Sequence, residues 1–313
     1  GTPAQWVIAI GSYGYDWPED GPAETLGFMD AMTRARSQSP DTVRAEAPLY
    51  SPHFSYGAEG AAREVWFLDA VTFRNQAELV RRRGGGGIAL YRLGSEDPGV
   101  WEVMSSAATA PPGPASLETL ASSNRVAHVG RGDFLKVIRQ ASVGHRSVRV
   151  DDRGLWTTRY ERFPSFTTLL HSGGGVPNQV AVTFDDGPDP EWTPQILDVL
   201  KAKNAKAAFF VVGVQAERHP DLVQRMLDEG HEVGVHTYFH PDLSLVSSGR
   251  LALELNATQH LLEGLLQRST VLFRPPYNVD SRPGITDEVL PLLQAQELGY
   301  VTVAQSIDTL DWD

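Results

Sequence analysis

Two adjacent carboxylates, Asp185 and Asp186, stand in the run Thr183-Phe184-Asp185-Asp186-Gly187-Pro188, directly after the apolar stretch Val180-Ala181-Val182. The pattern predicts a buried strand that delivers both acids into a turn closed by a Gly-Pro break. Asp-Asp-Gly-Pro alone is also a good turn sequence, because Asp bonds its own backbone and Gly supplies positive φ. The downstream residues favour chemistry. A second strand candidate, Glu232-Val233-Gly234-Val235, runs into His236-Thr237-Tyr238-Phe239-His240-Pro241. Two imidazoles four residues apart can reach one ion, and Pro241 places them on a loop rather than a continuing helix. A lone His is more often a satisfied core or surface residue. A spaced pair opening from a strand end, with an Asp-Asp turn on a neighbouring strand, points instead to two His and one carboxylate around a catalytic zinc or another borderline divalent metal.

Two more strand ends carry polar clusters. Leu272-Phe273 leads into Arg274-Pro275-Pro276-Tyr277, where a fixed guanidinium can brace a carboxylate and the prolines stiffen the turn that orients Tyr277. Val303-Ala304 leads through Gln305-Ser306-Ile307 into Asp308-Thr309-Leu310-Asp311-Trp312. Each taken singly suits a surface ion pair or a buried aromatic equally well; four such ends in one stretch are poorly explained by coincidence.

The elements that must position these groups are legible from periodicity. Helices are expected over 193–203, 220–229, 248–267 and 286–298, alternating with apolar strands at 207–212, 232–235, 271–273 and 300–304. Strands apolar throughout, alternating with amphipathic helices, predict a parallel sheet covered on both faces or closed as a barrel, with chemistry collected at the strands' C-terminal ends. Upstream, 7–10, 64–70 and 88–91 read as strands and 73–83 as a helix, and the strand-helix-strand order predicts a right-handed parallel unit. Residues 105–124, rich in Ser, Ala, Pro and Gly, read as a linker. Residues 125–177 read as a small β-rich bridge.

The whole chain has 313 residues, 41% hydrophobic and 21% charged, enough for two domains and a sizeable core. A net charge of −12 and the lack of any basic cluster beyond Arg81-Arg82-Arg83 argue against nucleic acid. No run approaches ~20 apolar residues, so no membrane span is expected, and Gly1-Thr2-Pro3 does not read as a signal peptide. With no Cys, thiolate ligands and a Cys nucleophile are excluded.

Residues about 5–103 resemble the last part of a glycoside hydrolase family 18 barrel, through Gly11 to Trp17, Val65-Trp66-Phe67-Leu68-Asp69-Ala70 and Gly87 to Asp97. A (β/α)8 barrel needs ~250 residues, so the expectation is a partial barrel. That family's spaced acidic signature does not occur in the chain, and the carboxylate pair that glycoside hydrolysis requires cannot be named. Tyr13, Tyr15, Trp17 and Trp66 suit a sugar-stacking wall or core packing, with core packing preferred. Asp16 and Asp69 lack a proton-transfer partner, so residues 1–104 read as scaffold.

Residues about 178–313 resemble a polysaccharide deacetylase domain of carbohydrate esterase family 4, with four of the family's motifs in order at the strand ends carrying Asp185, His236, Arg274 and Asp308. The resemblance implies a distorted parallel β/α barrel and a divalent metal, Zn2+ foremost with Co2+ as a second candidate, held by Asp186, His236 and His240. It implies Asp185 as general base braced by Arg274, an oxyanion stabilised by the backbone N–H of Tyr277, and a sugar groove lined by Pro276, Tyr277 and Trp312. Asp311 would orient a general-acid His in a fifth motif that should follow Trp312. The 313 residues alone are accordingly expected to bind metal but turn over poorly. The expected substrate is an N-acetylated glycan: chitin-like, poly-N-acetylglucosamine or peptidoglycan. The order of the two resemblances also matches bacterial multidomain proteins that continue into a glycosyltransferase family 2 domain, with work at the cell envelope or outside the cytoplasm. Three other readings remain: a glycan-binding scaffold without turnover, a family 18-like glycosidase acting through residues outside this chain, and a metal-dependent phosphoesterase. The last is short of basic groups apart from Arg274.

Overall fold

The computed structural model describes residues 2–45, 50–58, 61–106, 113–278 and 282–310. They form two compact units, one of residues 1–123 with 141–166 and one of 124–140 with 167–313.

The first unit opens with β1 (Val7–Gly11), β2 (Gly14–Pro18), β3 (Glu24–Leu26), α1 (Phe28–Ala35), β4 (His53–Tyr56), β5 (Arg63–Trp66), α2 (Ala70–Arg82), β6 (Gly87–Tyr91), α3 (Val100–Ser106) and β7 (Thr119–Leu120). After β8 (Val126–Gly130) and β9 (Phe134–Arg139), which belong to the second unit, β10 (Gly144–Val150) and β11 (Trp156–Arg162) complete it. β1 and β6 pair in parallel, from Val7 against Gly87 to Gly11 against Tyr91. Over the residues expected to form a partial barrel, β1 and β6 are the parallel pair among the described residues; the other strands lie in antiparallel sheets ordered β3-β2-β5-β4 and β11-β10-β7.

The parallel unit expected over 64–91 does not form, because β5 sits antiparallel between β2 and β4 while β6 pairs elsewhere. The reason lies in β5 itself: Val65 is fully buried and Glu64 exposed. Such alternation suits a half-solvated antiparallel sheet rather than a parallel strand covered on both faces. Of the expected linker over 105–124, residues 107–112 lie outside the described residues, and 113–120 are part of the fold. Leu117 and Leu120 are buried there, and Leu120 pairs with Gly144 on β10. The expected bridge over 125–177 is divided, since 141–166 belongs to the first unit and its two flanks to the second.

In the second unit β12 (Thr167–Ser172) precedes β13 (Val182–Phe184), α4 (Trp192–Ala202), β14 (Ala207–Val211), α5 (Gly213–Arg218) and α6 (Pro220–Asp228). There follow β15 (Glu232–Val235), α7 (Ser248–Leu266), β16 (Leu272–Phe273), α8 (Thr286–Glu297) and β17 (Val301–Val303). One eight-stranded sheet runs β13-β14-β15-β16-β17-β9-β12-β8. Its first five strands are parallel, as expected for alternating β/α units, and β9 and β12 continue it antiparallel. Apolar strands supply the core: Phe209, Val211, Val235 and Phe273 pack with Leu197, Val223, Met226, Leu251 and Leu255 from the helices.

The sheet is strongly curled. Arg274, just past β16, bonds Thr183 on β13 at 2.7 Å and the adjoining Asp185 at 2.9 Å. β13 and β16 are three strand spacings apart, about 14 Å on a flat sheet, farther than an arginine side chain extends. The guanidinium reaches across only because the sheet bends toward a barrel, its carbon 4.2 Å from the centre of the Phe210 ring of β14. Curling brings four strand ends to one place.

Candidate metal centre and hydrolytic site

The site grows out of strand ends. β13 ends at Phe184 and delivers Asp185 and Asp186 into a turn whose Gly187 carbonyl accepts the Val212 N–H at 2.9 Å. Asp189 then accepts the N–H groups of Glu191 and Trp192, both at 2.8 Å, which closes the turn into α4. β15 delivers His236, whose N–H still follows the ladder to Val211 at 2.9 Å, and a loop carries the chain on to His240.

Those three side chains meet. His240 Nε2 lies 2.9 Å and His236 Nε2 3.2 Å from Asp186 Oδ1, and the ligand atoms all fall within 4.8 Å of one another. His236 is buried while the Asp186 side chain is 69% exposed, so the cluster opens to solvent on the carboxylate side. The contacts from His236, and then from His240, hold the Asp186 carboxyl well below its ordinary range. The Nδ1 of His236 lies 2.7 Å from the Arg274 carbonyl. Donation of Nδ1–H there fixes the tautomer and leaves the Nε2 lone pair aimed at the cluster, the arrangement metal-binding imidazoles adopt. Two imidazole nitrogens and one carboxylate oxygen with an open side fit a borderline divalent cation with free coordination positions.

Beside the cluster, Asp185 is gripped by Arg274. The guanidinium, 5% exposed, donates to Thr183 and Asp185 through Nη1, to the Val303 carbonyl through Nε at 3.1 Å and to the Ala304 carbonyl through Nη2 at 3.2 Å. Every donor nitrogen faces a partner, so the arginine is a fixed brace rather than a mobile surface charge. Tyr277 adopts φ 61° and sets its ring edge-on to His240, centroids 4.7 Å apart. The tyrosine is exposed and Pro276 is buried. Asp311 and Trp312, singled out from the sequence, lie outside the described residues.

Residues 173–303 match the polysaccharide deacetylase family. Among the relatives, a peptidoglycan-N-acetylglucosamine deacetylase of Bacillus cereus is 37% identical over 188 residues, covering 58% of this chain and 64% of its own. A chitooligosaccharide deacetylase of Sinorhizobium fredii is 40% identical over 148 residues, covering 46% of this chain and 64% of its own. The chain thus spans just under two thirds of the length of these relatives. The solved peptidoglycan deacetylase PdaC of Bacillus subtilis is 39% identical over 44% of this chain and 64% of its own, at a TM-score of 0.38.

Outside the matched residues the acids singled out from the sequence are consumed by structure. Asp16 is buried and accepts from Arg34, from Arg63 Nε at 2.8 Å and from the Tyr56 hydroxyl at 2.5 Å. Asp69 caps α2 through the Thr72 N–H at 2.7 Å, and its other oxygen meets Tyr160 at 3.1 Å and the buried Arg146 at 3.3 Å. Tyr15 and Trp17 are exposed instead of in the core, because they alternate with buried Gly14 and Asp16 along β2. Trp66 stacks on His53 at 4.1 Å.

Sequence reasoning passed over the groups that hold the loop between the two imidazoles. Glu254 of α7, with its side chain 1% exposed, accepts the N–H groups of Tyr238 at 2.8 Å and Phe239 at 2.7 Å. The N–H groups of Gly213 and Val214, at the start of α5, donate to the carbonyls of Thr237 at 2.9 Å and Tyr238 at 3.0 Å. A glutamate inside an amphipathic helix has no sequence mark to separate it from a solvated one; only its burial does.

Proposed function

We propose that this chain carries out metal-dependent hydrolysis of N-acetyl groups on a glycan containing N-acetylglucosamine, releasing acetate and leaving a free amine. The observation that carries the reading is the convergence of Asp186, His236 and His240, with the Arg274-braced Asp185 next in sequence to the carboxylate ligand. Zn2+ suits that donor set best, with Co2+ an acceptable replacement. When bound, such a cation supplies Lewis-acid polarisation of the acyl oxygen and lowers the pKa of a water.

The chain's own residues supply the rest. Asp185 accepts the proton of the attacking water, and Arg274 keeps its carboxylate pointed at that task. The water oxygen bonds to the acyl carbon, negative charge collects on the acyl oxygen, and the backbone N–H of Tyr277 is the group we assign to meet it. The C–N bond then breaks as the nitrogen takes up the proton that Asp185 drew from the water, and acetate and the free amine leave. Exposed Tyr277, its ring set against His240, and exposed Phe239, which precedes His240 in sequence, offer faces for a sugar ring. Deacetylation of N-acetylglucosamine in peptidoglycan is the activity the Bacillus cereus relative is named for, which supports work at the cell envelope.

Acetate release from chitooligosaccharides, peptidoglycan and acetylxylan, with and without a chelator, tests the reading. Release from the first two that stops on chelation and returns with Zn2+ is expected. Tight oligosaccharide binding without acetate release at any metal loading would replace it with a glycan-binding role.

A further inference from the structure

We infer that Glu254, on α7, is a positioning residue for the cation site: it holds the turn that carries His236 and His240 in a conformation the turn would not keep alone. The inference rests on the proposed metal site and extends it to a residue that touches no ligand atom.

The turn is strained at both ends. Thr237 sits at φ 65° and His240 at φ 58°, in the left-handed region that side-chain-bearing residues avoid. For a β-branched residue such as Thr237 this is a true outlier. Such geometry is costly and persists only where the surroundings over-determine it. Here they do. Glu254 Oε2 takes both inner N–H groups, those of Tyr238 and Phe239, while Thr237 Oγ1 takes the His240 N–H at 3.0 Å.

The acid is itself held. Its other oxygen receives Arg250 Nε at 2.8 Å and Nη2 at 2.5 Å, one helical turn back, and the Arg250 guanidinium lies 5.5 Å from the Phe239 ring centre. A buried carboxylate is expensive to desolvate, so its placement needs bonds that use its charge. Two turn N–H groups and one guanidinium are those bonds, and charge-assisted hydrogen bonds are about twice as strong as neutral ones. Glu254 therefore sets the separation and direction of the two imidazoles from behind, as α5 does from the carbonyl side.

The test uses the full chain and Zn2+, with affinity measured by chelator competition and amide hydrogen exchange followed at Tyr238 and Phe239 in the metal-free protein. Glu254→Ala should weaken Zn2+ about 10–100-fold, the usual range for groups that orient ligands, and should speed exchange at both amides. Glu254→Gln, which keeps an acceptor oxygen but not the charge, should fall between, and Arg250→Ala should lose a smaller factor. Leu262→Ala, a core truncation on the same helix, serves as the stability control and should lower the melting temperature while leaving Zn2+ affinity unchanged. Glu254 variants with parental Zn2+ affinity, or with unchanged exchange at Tyr238 and Phe239, would overturn the inference and leave the metal site standing. Failure of the parent chain to take up Zn2+ would sink the metal reading, and this role for Glu254 with it.

Discussion

Removal of the Arg274 guanidinium should destabilise the second unit far more than a surface arginine would. Four partners depend on it: Asp185, Thr183 and the carbonyls of Val303 and Ala304, all between 2.7 and 3.2 Å, with the Phe210 ring beneath. In Arg274→Met the apolar stem survives but the fork is gone. Asp185, 28% exposed, then has only partial access to water, and the two carbonyls lose a donor that no solvent readily replaces. Breaking a buried pair from one side costs roughly 3–5 kcal/mol, and at about 2–4 °C per kcal/mol for a unit of this size the melting temperature should fall by about 6–20 °C. Arg274→Lys keeps the charge but cannot serve opposed acceptors with a single ammonium, so it should recover less than half of the loss. Calorimetry on the metal-free chain reads both variants without interference from ligand binding. A loss below about 1 kcal/mol for Arg274→Met, on the scale of an exposed ion pair, would refute the claim that the arginine is structurally committed, and with it the case for a curled sheet that rests on its reach.

Asp185→Asn should lower acetate release by about 10²–10⁴-fold, the range of a lost general base, while Zn2+ affinity by titration stays near parental; His236→Ala should do the reverse to affinity. Gly213→Ala should cost about 1–3 kcal/mol by overpacking, because a Cβ there would fall 2.4 Å from the Tyr238 ring and 2.7 Å from Thr258 Oγ1, and Zn2+ binding should weaken as Tyr238 is displaced. Burial pushes the Tyr300 hydroxyl up to about 12. Its folded value lies above its unfolded value of about 10, so its contribution is complete below pH 10 and is lost as pH climbs toward 12. Stability should fall across that window by an amount on the order of a few kcal/mol. In Tyr300→Phe the alkaline limb of a denaturant-midpoint profile should flatten; an unchanged limb would show that another group governs it.

Much of the second unit could be read from the chain because apolar strands and amphipathic helices alternate there without interruption. The strand Glu232–Val235 and the helices ending at Ala202, Asp228, Leu266 and Glu297 fall within a residue or so of expectation. The ligand set was legible for the same reason, since polar residues directly after a buried strand have few places to go but the sheet's end. Less legible was anything decided by tertiary pairing. β5 spans four residues, too few for its exposed Glu64 and buried Val65 to declare an antiparallel sheet before the burial is known; β8, β9 and β12 read as a separate bridge because nothing local says which sheet edge a strand will join. The six-residue α5 is too short to show a period, yet its first two N–H groups help fix the imidazole loop.

Backbone strain ties these features together. Asp186, Thr237, His240 and Tyr277 all have φ between 58° and 67°, and none is a glycine. They lie at the ends of three different strands, and two of them, Asp186 and His240, belong to the cluster itself. Left-handed residues of this kind are tolerated where function requires a side chain and geometry requires the turn, because a glycine would relieve the strain but could not ligate or stack. The anchors of the three turns answer that conflict: Val212 on the Asp turn, Glu254 and α5 on the His turn, and the Arg274 brace just before Tyr277. If the strain exists to aim side chains, the anchors of the His turn should matter to ligand affinity more than their own hydrogen bonds matter to global stability, whereas Arg274 serves both. That ratio separates a built site from an accidental cluster of polar residues.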